Sequence, residues 1–172
     1  NSGVSKIQKQ QMITAEGNNI SAVGVEGNFD NCQSAVKSVF SDKTMREEAY
    51  KKGYIFSSAN SINWGRLAPQ IAYYFWAYRK MIDKAIIRKG EKINICVPTG
   101  NFGNILASYY AHKMGLPVGK FICASNANNI LTNFINTGEY NIDREFHITS
   151  SPSMDIIISS NLERYIFEIL NH

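Results

Sequence analysis

Cysteine is scarce in these 172 residues: there are three, Cys32, Cys96 and Cys123, an odd number with no CxxC spacing. That argues against a disulfide framework and a zinc ribbon. Two of the three sit in apolar strand-like runs, so they read as buried thiols of a reducing, cytoplasmic compartment. Excess charge of one sign is also lacking, since 18 Lys and Arg face 14 Asp and Glu, a net charge of +4, and no basic run exceeds two residues. Nucleic-acid binding as the main activity is disfavoured, because neutralising phosphates requires clustered Lys and Arg. No apolar run approaches the ~18–20 residues that span a bilayer, and no signal-peptide order of charged, apolar and small residues opens the chain. Proline numbers four, and with no Pro- or Gly-rich linker and no internal repeat the chain reads as one domain over residues 1–172. The histidines, His112, His147 and His172, are far apart and none has a Cys, Asp or Glu at metal-ligand spacing, so no metal site is expected. The signatures GxSxG, GxxxxGK[ST] and GxGxxG are all absent.

The length is sufficient for a core: a free-standing domain of this size buries about 68–70% of its unfolded surface. Strand-like and helix-like segments alternate. Asn19–Gly27 and Tyr54–Ala59 have the β-branched and aromatic content of strands, and Ile93–Pro98 and Gly119–Ala124 are apolar runs expected to form buried strands, the first covered on both faces. Between them, Phe29–Phe40 sets Cys32, Val36, Val39 and Phe40 at helical spacing, and Thr44–Lys52 stops at Gly53. A long helical stretch runs from Trp64 to Lys89, with Pro69 tolerable in its first turn and an aromatic centre of Tyr73, Tyr74, Phe75, Trp76 and Tyr78 that reads as core. Asn104–Met114 and Asn128–Asn136 complete the helices, with Gly115 and Gly138 as their stops. Strands separated by helices pair in parallel, which predicts an α/β fold: a three-layer αβα arrangement around a mostly parallel sheet. In such sheets ligands bind outside the carboxyl ends of the strands.

Three turns leave those ends. Pro98-Thr99-Gly100-Asn101-Phe102-Gly103-Asn104 leads into a helix, and glycines at 100 and 103 allow positive φ and close approach, so that successive N–H groups and the helix dipole can hold a phosphate. A simple tight βα turn explains the same residues. Asn60-Ser61-Ile62-Asn63-Trp64-Gly65-Arg66 offers amides, a hydroxyl and a guanidinium at a helix start, which is either an oxyanion pocket or Asx-type capping beside a solvated Arg. Ser125-Asn126-Ala127-Asn128-Asn129 reads as capping.

The string VPTGNFGNILASYYAHKMGLP (Val97–Pro117) resembles the phosphate-loop region of threonine synthase, a family of fold-type II pyridoxal-phosphate enzymes. Further blocks resemble the same family in the same order: GVSKIQKQQM (Gly3–Met12), VEGNFDNCQ (Val25–Gln33), SANSINWGR (Ser58–Arg66), SNANNILT (Ser125–Thr132) and SPSMDIIISSNLER (Ser151–Arg164). The resemblance implies a pyridoxal 5'-phosphate cofactor and the conversion of O-phospho-L-homoserine and water to L-threonine and phosphate. It assigns the cofactor phosphate to Gly100, Asn101, Phe102, Gly103 and Asn104, mainly through backbone N–H groups. The substrate's phosphate or carboxylate falls to Asn60, Ser61, Asn63 and Arg66 of the family's NSxNxxR segment. The expected partner is a small phosphorylated amino acid, with no metal, nucleic acid or membrane, and oligomeric state stays open.

In that family the Schiff-base lysine lies in an upstream, phenylalanine-rich turn, a context that none of the twelve lysines here shares. The hydroxyl residue facing the pyridine nitrogen falls beyond His172. No catalytic residue is therefore expected in this chain, which reads as a part of the enzyme lacking both ends and inactive alone. The other readings are a threonine dehydratase or cysteine-synthase-like lyase, against which the NSxNxxR segment argues, and a non-catalytic phosphometabolite-binding module.

Overall fold

Ser5 and Gln8 open the first helix reciprocally: the Gln8 N–H donates to Ser5 Oγ at 3.2 Å and the Ser5 N–H to Gln8 Oε1 at 3.4 Å. This capping box starts α1, Lys6–Ile13, in the computed structural model, which describes residues 5–27 and 29–170. Its contacts divide the chain into two compact units, Asn1–Phe56 and Ser57–His172. In the first unit α2, Phe29–Ser41, packs with α3, Lys43–Lys51, whose N-cap Asp42 accepts from the Met45 N–H at 3.0 Å. Gly53, at φ +81°, ends α3 where the sequence expects a stop, and Phe40 stacks on Phe56 at 5.8 Å.

Two expected strands do not form. Asn19–Gly27 and Tyr54–Ala59 are irregular, and Val23 and Ile55 are more than four-fifths exposed. Their β-branched and aromatic content favours a pleated, half-buried surface, but no strand lies beside either segment among the described residues, and a ladder requires a partner.

The second unit carries the parallel α/β arrangement. Strand β1, Ile93–Pro98, leads through α6, Gly103–Lys113, to β2, Val118–Ala124, and the strands pair in parallel with Val97 opposite Cys123 and Pro98 opposite Ala124. Among the described residues the sheet has these two strands. Coverage of β1 on both faces is not observed: Ile95 and Val97 are buried, whereas Asn94, Cys96 and Pro98 alternate with them on an exposed face, and β2 is largely exposed too. Cys96 is accordingly an exposed thiol and Cys123 a half-buried one, not the buried pair that the apolar runs suggested; none of the three cysteines is in a disulfide.

The stretch from Trp64 is broken into a short α4, Trp64–Leu67, a 3-10 turn at Ala68–Gln70 that accommodates Pro69, and α5, Ile71–Asp83. Its aromatics are not all core. Tyr78 is buried and Tyr74 half-buried, whereas Tyr73, Phe75 and Trp76 face water, because at 3.6 residues per turn only positions near 71, 74 and 78 share the inward face. α6 lies in the centre of the unit, with Ile105, Leu106, Ala107 and Ala111 buried against Leu67, Val97, Leu131 and Leu162. It stops at Gly115 (φ +103°), and α7, Ile130–Thr137, stops at Gly138 (φ +77°), both at the expected glycines. The last helix, α8, is Leu162–Leu170. No helix among the described residues is long and apolar enough to cross a membrane.

Candidate functional site

The carboxyl end of β1 is fixed by Thr99, whose N–H donates to the Ala124 carbonyl at 2.7 Å and whose hydroxyl donates to the Val97 carbonyl at 2.7 Å. The chain then turns through Gly100-Asn101-Phe102 into α6. The first bond of that helix runs from the Leu106 N–H to the Phe102 carbonyl, so the N–H groups of Gly103 and Asn104 have no partner inside the helix. Those of Gly100, Asn101 and Phe102 likewise find no acceptor among the described residues. Five successive donors thus stand at a helix N-terminus, in a loop where Gly100, Phe102 and Gly103 are buried. Buried donors left without acceptors are costly, and an anion at the positive end of the helix dipole satisfies them. The Asn104 side chain is engaged elsewhere, accepting from the Tyr74 hydroxyl at 2.5 Å and donating to Gln70 Oε1 at 3.0 Å, which leaves its backbone N–H as its contribution to the loop.

Of the two properties the sequence suggests for the glycines, close approach is observed and positive φ is not. Neither Gly100 nor Gly103 has a positive φ; the left-handed residue is Phe102, at φ 61°. Space is what excludes a side chain. A Cβ on Gly103 would lie 2.6 Å from both Cβ and Oγ of Ser61, and one on Gly100 would lie 2.7 Å from Ile156 Cδ1. The phosphate-loop turn therefore backs directly onto the Asn60–Arg66 turn.

In that second turn local capping accounts for two amides. Asn60 Oδ1 accepts from the Ile62 N–H at 3.1 Å, and Asn63 caps α4 by accepting from the Gly65 N–H at 3.0 Å. The Arg66 guanidinium is exposed and donates to the Ala59 carbonyl. Ser61 is the residue drawn toward the loop: its Oγ accepts from Asn161 Nδ2 at 2.9 Å. The third turn does more than cap. Asn126 and Asn128 donate through Nδ2 to Asp155 Oδ1 at 2.7 and 3.1 Å, and the Thr149 hydroxyl adds a third bond there at 2.7 Å. This buried network pins the stretch that leads back to the loop.

Sequence reasoning missed the residues on that returning segment. Asn161 is fully buried and joins Ser61 to the Asn101 carbonyl; Ser160 donates to Asn101 Oδ1 at 3.3 Å; Arg164 donates to the Ser61 carbonyl at 3.0 Å. Ser159 is 4% exposed and its hydroxyl has no partner among the described residues, a second unsatisfied group beside the loop. Their only signal was the family-like block Ser151–Arg164, since no periodicity or spacing ties position 161 to positions 61 and 101. Among the described residues no cluster of His, Cys, Asp or Glu suits a metal. All twelve lysines are exposed.

No protein-family model matches the chain. It is 50% identical over 171 residues to human "Threonine synthase-like 1", a match that covers 98% of this chain and 23% of that protein. With the threonine synthase of Saccharomyces cerevisiae it shares 41% identity over 164 residues, covering 95% of this chain and 30% of the enzyme. The crystal structure of pyridoxal-phosphate-bound threonine synthase from Brucella melitensis superimposes with a TM-score of 0.77 at 42% identity, over 99% of this chain and 34% of that one. In sequence and in fold the chain corresponds to one section of the threonine synthases, spanning about a quarter to a third of the relatives it matches.

Proposed function

We propose that the chain supplies the phosphate-gripping part of a pyridoxal-phosphate-dependent threonine synthase, which converts O-phospho-L-homoserine and water to L-threonine and phosphate. The observation that carries this reading is the run of five N–H groups, Gly100 to Asn104, without acceptors among the described residues at the N-terminus of α6. These residues fit the cofactor's phosphate: the donors are backbone groups, the loop is tight because a side chain at 103 would strike Ser61, and the Ser159 hydroxyl, without a partner among the described residues, lies on the adjoining segment. When bound, pyridoxal phosphate supplies an electron sink for rearranging the substrate's carbon skeleton. The chain's own residues bind and orient. The Asn60–Arg66 turn packs against the loop through Ser61 and presents Arg66 at the surface, where its planar fork suits the substrate's phosphate or carboxylate. Asn60 and Asn63 hold that turn in shape while Ser61 faces the loop. A reducing, cytoplasmic setting agrees with three cysteines outside any disulfide.

A lysine that links this cofactor is desolvated to lower its pKa, whereas every lysine here is exposed. We therefore assign the chain binding without turnover by itself. The same observation favours a second reading, a phosphometabolite-binding module with no catalytic role. Two measurements separate these readings. Titrating the chain with pyridoxal 5'-phosphate and with inorganic phosphate should show saturable binding of both, and borohydride treatment should mark no single lysine. Assay of the complete gene product on O-phosphohomoserine, threonine and serine should show phosphate release with the first; turnover of threonine or serine alone would point to a dehydratase-like lyase, and no turnover to the module.

A further inference from the structure

Asn161 has no exposed surface, and a buried amide is tolerated when its hydrogen bonds are made. Its bonds reach far along the chain. The backbone N–H and Nδ2 both donate to the Asn101 carbonyl, at 3.1 and 3.0 Å, and Nδ2 also donates to Ser61 Oγ at 2.9 Å, 100 positions away in sequence. Oδ1 accepts from Arg164 Nη1 at 2.7 Å, and the same guanidinium donates to the carbonyls of Ser61 and Ile62. The amide is thus held at both ends, which fixes its orientation.

Across a trans peptide the carbonyl and the following N–H point in opposite directions, and no peptide bond among the described residues is cis. Two donors from Asn161 on the Asn101 carbonyl therefore turn the Phe102 N–H away from Asn161, to the side where no acceptor among the described residues meets it. Phe102 itself sits at φ 61° and ψ 1°, a conformation that a residue with a Cβ rarely adopts without outside restraint. The buried Phe102 ring, 5.3 Å from Tyr165, supplies part of that restraint and the Asn101 carbonyl bonds supply the rest.

We infer that Asn161, oriented by Arg164, is the positioning residue that aims the Phe102 N–H at a bound phosphate and locks the phosphate loop to the Ser61 turn. This inference rests on the phosphate-binding reading given above. In the isotopically labelled chain, a scalar coupling across the hydrogen bond from the Asn161 nitrogens to the Asn101 carbonyl carbon is expected, and its absence overturns the clamp. Asn161→Leu keeps the volume and cannot donate; its Phe102 amide resonance should move, and inorganic phosphate should bind about tenfold more weakly, at unchanged circular dichroism. Arg164→Gln leaves the amide but removes its support, with a smaller loss of about threefold and the same amide moving. A folded Asn161→Leu chain with an unmoved Phe102 amide and unchanged phosphate affinity overturns the proposal. Where Asn161→Leu fails to fold, the coupling and Arg164→Gln decide it, and an unmoved amide in the latter counts against the clamp. Failure of the unaltered chain to bind phosphate or pyridoxal phosphate, alongside an intact coupling and a moving Phe102 amide, removes the phosphate-binding reading and leaves the clamp standing.

Discussion

Replacing Gly103 by alanine tests whether the loop is shaped by space. The new Cβ would sit 2.6 Å from Cβ and Oγ of Ser61, about 1 Å inside the 3.5–4.0 Å at which such atoms attract. Rotating Ser61 does not relieve the clash, since its own Cβ is one of the atoms struck. The Ser61 backbone cannot yield freely either, with its carbonyl held by Arg164. The loop and the turn must therefore move apart. Overpacking of this kind costs about 1–3 kcal/mol, and the helix-propensity gain of Ala over Gly, at most about 1 kcal/mol in a helix interior and smaller at a first position, offsets only part of it. A net loss of about 1–2 kcal/mol is expected in urea unfolding, with about a tenfold loss of phosphate affinity by calorimetry, because charge-assisted N–H bonds depend strongly on geometry. Gly100→Ala is the internal comparison. Its nearest clash, at 2.7 Å, is with Ile156 Cδ1, the far end of a flexible side chain, so it should cost less than about 1 kcal/mol and weaken phosphate by no more than about twofold. Equal effects of the two substitutions, or a milder effect at Gly103, would refute the argument from space.

Asp155→Asn places an amide where a buried carboxylate collects bonds from Asn126, Asn128 and the N–H and hydroxyl of Thr149. One oxygen becomes an NH2 facing donors, and a loss of about 2–3 kcal/mol in urea unfolding is expected, with increased amide exchange over 147–155; no change would mean the network is incidental. Burial raises the Cys123 thiol above its ordinary 9.0, and burial likewise raises the Tyr74, Tyr110 and Tyr165 hydroxyls above 10.0, aided at Tyr110 by the Glu168 carboxylate. The unfolded chain thus loses these protons first, so the stability they contribute is complete below pH 9 and declines as pH rises through the folded values. Denaturant midpoints measured from pH 7 to 11 should fall above about pH 9, and Cys123→Ala should delay that fall toward pH 10; a variant curve parallel to the original would exclude the thiol as its source.

What the sequence revealed depended on whether the relevant physics was local. The β1–α6–β2 crossover was legible because each element carries its own signal: an apolar six-residue run, a helix closed by Gly115, and a second apolar run that pairs in parallel with the first. Asn19–Gly27 and Tyr54–Ala59 carry equally strong strand composition, yet composition does not supply a neighbouring strand. Ser5 and Gln8, by contrast, form a helix-start signature contained within four residues.

The candidate site divides along the same line. A run of N–H groups before a helix is a property of seven consecutive residues, so Gly100–Asn104 could be found by reading them. Which group crowds Gly103 could not, because it is Ser61, some forty positions earlier, brought against that glycine by the fold. Asn161 is harder still: it resembles any other Asn before a helix until its amide is seen to join the Asn101 carbonyl to the Ser61 hydroxyl. The loop's capacity to bind an anion is written locally, whereas the direction in which it points that capacity depends on a residue sixty positions away. A substitution at 161 should therefore alter ligand affinity without touching any residue of the glycine-containing motif, an effect that motif matching alone would not anticipate.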